Sequence, residues 1–385
     1  MKLNNKKIAV VGGGPGGLIL ARLLQLQNVD VAVYERDADK NARVQGAPLD
    51  LHENSGLAAI RQAGLLDVFK QNFMPGADRE VIANERAEVL YSEHGKPEEN
   101  FGHEHFRPEI DRGVLRRILL ESLQPETVVW DAHFISMEKQ NNGWLLHFKN
   151  GTTAYADVVV AADGANSKIR PYVTDIKPFY SGITMLEGTV YNAKEAIPKV
   201  SALLNGGKIM AFGNTKNLLI GQKANNEVGF YASFKADENW AFASGIDYKD
   251  NKQVLDWFTS AYPEWDSVWH ELFLNNAVPY IPRPIYCMPL DQDWEAQPNV
   301  TLLGDAAHLM PPFAGEGVNM AMLDALELCG YLMSRNYPTV LEAIAAYETN
   351  MRKRASALAQ ESLDNGEKMH SPTALQDMLE FFQGI

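Results

Sequence analysis

The stretch from Ile8 to Glu35, IAVVGGGPGGLILARLLQLQNVDVAVYE, restricts the fold more than any other part of the chain. It opens on an apolar run, residues 8–11, of the length a buried parallel strand needs. Gly12, Gly14 and Gly17 follow in G-x-G-x-x-G spacing, with Pro15 and Gly16 between them. An apolar helical stretch, 18–26, leads to a second apolar run, 29–34, that ends at Glu35. Gly12 permits the tight turn out of the strand. Gly14 lacks a Cβ, so a pyrophosphate can approach the backbone, and Gly17 lets helix and sheet pack closely. The helix then presents free N–H groups and its positive dipole end to the phosphates. Glu35 stands 18 residues after Gly17, placed to accept hydrogen bonds from ribose hydroxyls, with Arg36 beside it. A plain glycine-rich turn would not bring strand, helix, strand and terminal acid into one register. The expected unit is a βαβ dinucleotide site.

The rest of the 385 residues leaves room for two domains, and a 46% hydrophobic content supplies the core. The net charge of −14 argues against nucleic acid and anionic membrane surfaces as partners. No run reaches the ~18 apolar residues of a spanning helix, and MKLNNKK runs straight into the first strand. A cytoplasmic monomer is expected. Cys287 and Cys329 read as small buried hydrophobes, not a disulfide framework. The nine histidines show no ligand spacing, so no metal is expected.

Further along, 55–65 reads as an amphipathic helix, and 79–83 and 88–91 as strands. Asp111 can cap a helix carrying Arg112 and Arg116 on one face. Asn142-Gly143 marks a hairpin. Residues 157–162 form a second buried strand, ending at DGANSKIR. Alternating runs through 184–234 read as antiparallel strands of an inserted domain, followed by helices near 250–260 and 265–272. Pro282 and Pro284 are expected to break regular structure as the chain turns back. Residues 299–304 form a third buried strand running into GDAAHLMPPFAGEGVN. One or two helices fill 338–368, and 377–382 is a short apolar-aromatic piece.

Three strand-end motifs now stand together: GGGPGG at 12–17, Asp163-Gly164 with Ser167 and Arg170, and Gly304-Asp305-Ala306-Ala307-His308 with Pro312, Gly315, Gly317 and Asn319. In order and spacing the chain resembles the single-component flavoprotein monooxygenases of the para-hydroxybenzoate hydroxylase type. VYERDADKNARVQGAPLDLH and EIDRGVLRRILL add a likeness to their tetracycline-inactivating branch.

The resemblance implies an α/β fold. A Rossmann-like FAD-binding domain (1–175 and 281–330) would carry an inserted antiparallel-sheet substrate domain (176–280), and a C-terminal helical segment (331–385) would bridge the two. It implies FAD extended from Glu35 to the third motif. Arg43, Asp50, Arg112 and Asp163 would lie along it. Asp305 would meet the ribityl chain. Pro312, Gly315, Glu316, Gly317, Val318 and Asn319 would border the flavin ring, and backbone N–H groups of 315–318 would stabilise reduced flavin. Glu316 stands where the family usually has glutamine, and is expected to turn to solvent. His308 is expected to be structural. NADPH would bind transiently, since no second G-x-G-x-x-G is present. The implied chemistry is hydroxylation of an electron-rich enol or phenol through a flavin hydroperoxide, with O₂ as co-substrate, on an aromatic or polycyclic small molecule. Tetracycline inactivation is one candidate, and another aromatic or polyketide substrate is the alternative. Substrate positions would be Glu187, Lys208, Met210, Ile220, Phe313 and Gly315. Lys208 replaces the family's arginine and loses its planar fork. A flavin halogenase would need a W-x-W-x-I-P segment, absent here. A flavin dehydrogenase, or a non-catalytic protein that only binds such a ligand, is the rival reading; NADPH-linked oxygen uptake would separate them.

Overall fold

The computed structural model describes residues 3–42, 46–96, 100–103 and 105–384. Five strands form a parallel sheet in the order Val300–Leu302, Val158–Ala161, Lys7–Val11, Asp30–Tyr34, Val128–Val129. The three strands that precede the motifs are neighbours. All run the same way, so GGGPGG, DGANSKIR and GDAAH leave one edge of one sheet. Their β-branched and alanine side chains are buried, as a parallel sheet covered on both faces requires. Helix Pro15–Leu26 packs on it, with Gly16, Gly17, Leu18–Ala21, Leu23 and Leu24 inside. A Cβ on Gly17 would collide with the Gly12 carbonyl oxygen and crowd Val10. Gly12 adopts φ +113, and a Cβ there would strike Ala162 on the next strand.

A seven-stranded sheet forms the second body. Its order is Ile281–Cys287, Phe179–Val190, Glu227–Lys235, Lys216–Lys223, Lys208–Gly213, Glu80–Asn84, Val89–Ser92. The sheet therefore draws strands from outside 176–280 on both sides. Strand Glu80–Asn84 pairs parallel with Lys208–Gly213, which short-range patterning could not reveal. Pro282 and Pro284 do not break the chain. They sit within an edge strand, paired opposite Leu186 and Thr184, where a missing N–H can face outward.

Alternation divides the faces of this sheet. Val81, Leu186, Ile209, Leu218, Ile220, Phe230 and Ala232 join a core beneath helix Asn251–Ala261 and its neighbours. Ile82, Met185, Met210, Leu219 and Tyr231 point the other way, and several of them meet Phe313. Asp111 caps helix Arg112–Glu121, accepting from the Gly113 and Val114 N–H groups at 2.9 and 3.2 Å. Asp250 caps Asn251–Ala261 likewise.

Helix Val340–Met369 opens on a Thr339–Glu342 capping box and lies against helix Gly317–Met333 and the Pro312–Ala314 turn. Helix Ala374–Gln383 packs on Glu80–Asn84 and Lys208–Gly213, so the C-terminal segment touches both bodies. Both cysteines are buried and unpaired; burial pushes the Cys287 thiol up to about 11 and Cys329 up to about 12. No described helix is long and apolar enough to cross a membrane. No metal-ligand cluster occurs among the described residues.

Candidate active site

The three strand ends are fastened to each other by side chains. Ser167 accepts from the Ile169 and Arg170 N–H groups at 3.2 and 2.9 Å. That turn aims Arg170 across to the third motif. Its Nε donates to the Ala306 carbonyl at 2.7 Å, and Nη2 to the Ala165 and Asp305 carbonyls at 2.9 Å each. Arg170 is a staple between motifs, a role the motif pattern did not disclose. Asp163 accepts from the Lys168 N–H at 2.9 Å, and burial raises its pKa.

At the first motif Glu35 is buried and already engaged. Oε2 accepts from the Gly13 N–H at 2.6 Å and Oε1 from the Asp37 N–H at 3.0 Å. Each carboxylate oxygen has a further lone pair for a ribose hydroxyl. Arg36 is exposed. Arg116 pairs with Asp37 at 2.7 Å and sits over the Trp130 ring. Arg112 lies apart from it, with Nε 3.4 Å from the Ala47 carbonyl. Burial lowers the Arg112 pKa, while Tyr231, Asp305 and Glu187 nearby favour its charge. Arg43 lies outside the described residues.

The third motif carries the most polarised groups. Burial raises the Asp305 pKa, and His308, Arg112 and Arg170 only partly counter it. No donor among the described residues reaches its carboxylate. His308 is buried and held by an acid. Nε2 meets the Asp324 carboxylate at 2.5 Å, and Arg354 closes on the other Asp324 oxygen at 2.7 Å. Gly315 takes φ +68 between the exposed Pro312 and helix Gly317–Met333; a Cβ there would come within 3.5 Å of Asp50. Val318 is partly buried against the main core.

Two expectations are corrected here. Glu316 does not turn to solvent. Its Oε1 meets His52 Nδ1 at 3.1 Å, and His52 Nε2 meets Asp50 Oδ2 at 3.0 Å, so one imidazole bridges two carboxylates. Burial pulls the His52 pKa down, but the hydrogen bonds and charges of Asp50 and Glu316 outweigh it and hold it at about 9. The charged imidazole offsets part of the desolvation that the two largely buried carboxylates suffer. Asn319 is fully buried and acts as a bracket. Oδ1 accepts from the His52 N–H at 2.9 Å and from Ser55 and Gly56, while Nδ2 donates to the Asp50 and Gly315 carbonyls. Its side chain has nothing left to offer a ligand.

On the sheet, Met210 and Phe313 belong to one apolar cluster with Ile82 and Phe212. Ile220 does not join them. It is 3% exposed in the core under the helices, because strand Lys216–Lys223 sends Leu219 and Gly221 toward the motifs and Ile220 away. The approximate register read from sequence was off by one, which flips a side chain to the other face. Glu187 pairs with Arg283. Lys208 pairs with Glu109 and lies 3.8 Å from Glu80. Burial raises Glu80 and Glu109 to about 7 each, with Lys208 pulling against it. Tyr231 accepts from the Ala47 N–H at 3.2 Å and ties the sheet to the loop before Asp50. His52, Tyr231, Arg283, Glu80 and Glu109 were not singled out from sequence. The spacing of Asp50 and His52 in an extended segment puts both on one face, but the third member is 264 residues away.

These residues fit an FAD. Among the described residues no donor takes up the Asp305 carboxylate, which leaves it for ribityl hydroxyls. A Cβ on Gly14 or Gly317 would meet nothing within 4 Å, which leaves the backbone of the first turn and the start of the long helix open to a ligand.

The chain is 29% identical to the monooxygenase asqM of Emericella nidulans, over 88% of this chain and 86% of that protein. In fold it resembles Klebsiella pneumoniae HpxO complexed with FAD and uric acid, with TM-score 0.77 and 21% identity, covering 98% and 92% of the two chains. It also resembles the tetracycline destructase Tet(51), with TM-score 0.71 and 18% identity, covering 97% and 94%. The family described as FAD binding domain matches residues 5–212 and 290–362, and the chain belongs to that family, among the single-component FAD monooxygenases.

Proposed function

We propose that this protein is an NADPH-consuming monooxygenase that hydroxylates an electron-rich enol or phenol on a ring-based small molecule. When bound, FAD supplies electron transfer from the nicotinamide and activation of O₂ for transfer of one oxygen atom. The chain supplies position, charge and dryness. Gly14 and the first helix would receive the pyrophosphate, Glu35 the adenosine ribose, and Asp305 the ribityl hydroxyls. The N-terminus of helix Gly317–Met333 would favour negative charge on the adjoining ring edge. His52 offsets the charges of Asp50 and Glu316 beside that edge. Phe313, Met210 and Leu219 would keep water from the reacting atoms.

The observation that supports this most is the meeting of three strand-end motifs at one sheet edge, with Phe313 of the third motif against the Met210 and Leu219 face of a second sheet. Tetracyclines belong in the first substrate panel because the destructase shares the fold. Glu187 and Lys208 are both engaged in ion pairs, so their grip on such a substrate would differ from that of free side chains. The test is consumption of NADPH and O₂ by the FAD-loaded protein across tetracyclines and other phenolic compounds, with products weighed for one added oxygen. Oxidation of NADPH coupled to that gain supports the reading. FAD-loaded protein that consumes no O₂ with any phenol would remove it.

A further inference from the structure

The Pro312–Ala314 turn leads straight into Gly315 and helix Gly317–Met333. Pro311 and Pro312 carry no N–H, and the turn closes on a bond from the Gly315 N–H to the Pro312 carbonyl at 3.2 Å. Packing leaves room around it. Phe313 is half-buried and borders a cavity of about 70 Å³ that it shares with Ile183, Leu363 and Gly366. A turn with so little internal bonding and a gap beside its one large side chain needs to be held from outside.

The hold comes from one face of helix Val340–Met369. Ser362 Oγ donates to the Pro311 carbonyl at 2.6 Å, and Asn365 Nδ2 donates to the Phe313 carbonyl at 3.2 Å. The two donors stand three residues apart, so they share the face that meets the turn. Gly366 follows on it. A Cβ there would come within 2.8 Å of the Phe313 ring and 3.2 Å of Ile183, so a residue that weakens a helix is what leaves the ring its place. Ser362 is fully buried in mid-helix. A serine in that setting commonly bonds back to its own helix; this one reaches across to the neighbouring turn. Beyond the turn, Asn319 Nδ2 takes the Gly315 carbonyl at 3.3 Å. The first N–H groups of a helix lack a carbonyl four residues back, and here they belong to Gly317 and Val318.

We propose that Ser362 and Asn365 are positioning residues that clamp the Pro312–Ala314 turn from its far side and so fix the Gly317 and Val318 N–H groups before FAD is reduced. This rests on the monooxygenase reading, which puts the flavin end of FAD at this segment. Dipoles held in place favour the negative charge of the reduced cofactor without having to reorganise. A turn released from the helix gives up part of that preference.

The experiment measures the midpoint potential of the FAD-loaded protein against an indicator dye, and amide hydrogen exchange across 311–318 in the FAD-free chain. Ser362→Ala and Asn365→Ala are each expected to reduce the preference for reduced over oxidised FAD at least fivefold. That is about 20 mV toward negative potential, since a tenfold change is about 30 mV for a two-electron couple. Exchange across the segment is expected to rise at least tenfold in both variants. Ser362→Thr keeps the hydroxyl and is expected to restore the natural potential and exchange, which a role in stability alone would not require. Asn365 is half-buried, so Asn365→Ala carries the test by itself if Ser362→Ala does not fold. FAD bound with potentials within twofold of the natural preference, or exchange unchanged in the alanine variants, would overturn the proposal alone. A natural chain that binds no FAD would remove the monooxygenase reading and the proposal with it.

Discussion

His52 carries charge between two acids, and its effect on stability has a definite sign. A base whose pKa is raised on folding contributes stability that is complete below its unfolded value, near 6.5, and fades as pH rises through about 9. The shift corresponds to about 3 kcal/mol at most. The advantage of the natural chain over His52→Asn should therefore be largest at pH 6 and shrink toward pH 10, as read from urea midpoints at each pH. A gap that stays constant with pH would mean that the imidazole only fills space. Asp305 makes a second prediction. With no donor to lose among the described residues, Asp305→Ala should leave the urea midpoint of the FAD-free chain within about 1 kcal/mol of the natural one. The same change should lower FAD affinity more than tenfold, measured by flavin fluorescence. Unchanged affinity would displace Asp305 from the cofactor.

At the level of elements, the end of helix Val340–Met369 is latched to the seven-stranded sheet by His370, beside the Lys235–Glu367 ion pair and the Asn217–Met369 hydrogen bond. His370 Nε2 meets Ser233 Oγ at 2.8 Å and Asn217 Nδ2 at 3.2 Å, its Nδ1 meets the Gly366 carbonyl at 2.7 Å, and its ring lies edge-on to Phe313. His370→Ala would leave buried polar groups unpaired, a loss of about 2 kcal/mol in the denaturation midpoint. A change below about 0.5 kcal/mol would show that the latch does not hold.

The elements readable from sequence were those with local signals. Asp111 and Asp250 announced their helices, Asn142-Gly143 its hairpin, and the glycine spacing its turn. What stayed hidden depends on distant pairing. Strand Glu80–Asn84 looks like any short apolar strand until Lys208–Gly213 pairs with it. Pro282 and Pro284 read as breakers because nothing local reveals an edge position. Ile220 and Leu219 exchange faces on a one-residue slip that alternation alone cannot fix. Glu316 was read beside the ring without the histidine that accompanies it.

For the molecule as a whole, the motif order was enough to place three turns at one edge, because parallel strands joined by crossovers bring their C-terminal ends together. The charge state of the facing sheet was not legible. It depends on Glu80, Glu109 and Arg283, which reach Lys208 and Glu187 only in the folded chain. The central claim is that the three turns jointly hold one FAD, and Gly14 tests it most directly. A Cβ at this position meets no protein atom within 4 Å, so Gly14→Val should fold as the natural chain does while filling the approach to the pyrophosphate. The measurement is the number of FAD molecules retained per chain after purification with added FAD. The account predicts one for the natural chain and close to none for Gly14→Val. A natural chain that retains no FAD, or a variant that retains as much as the natural chain, would contradict it.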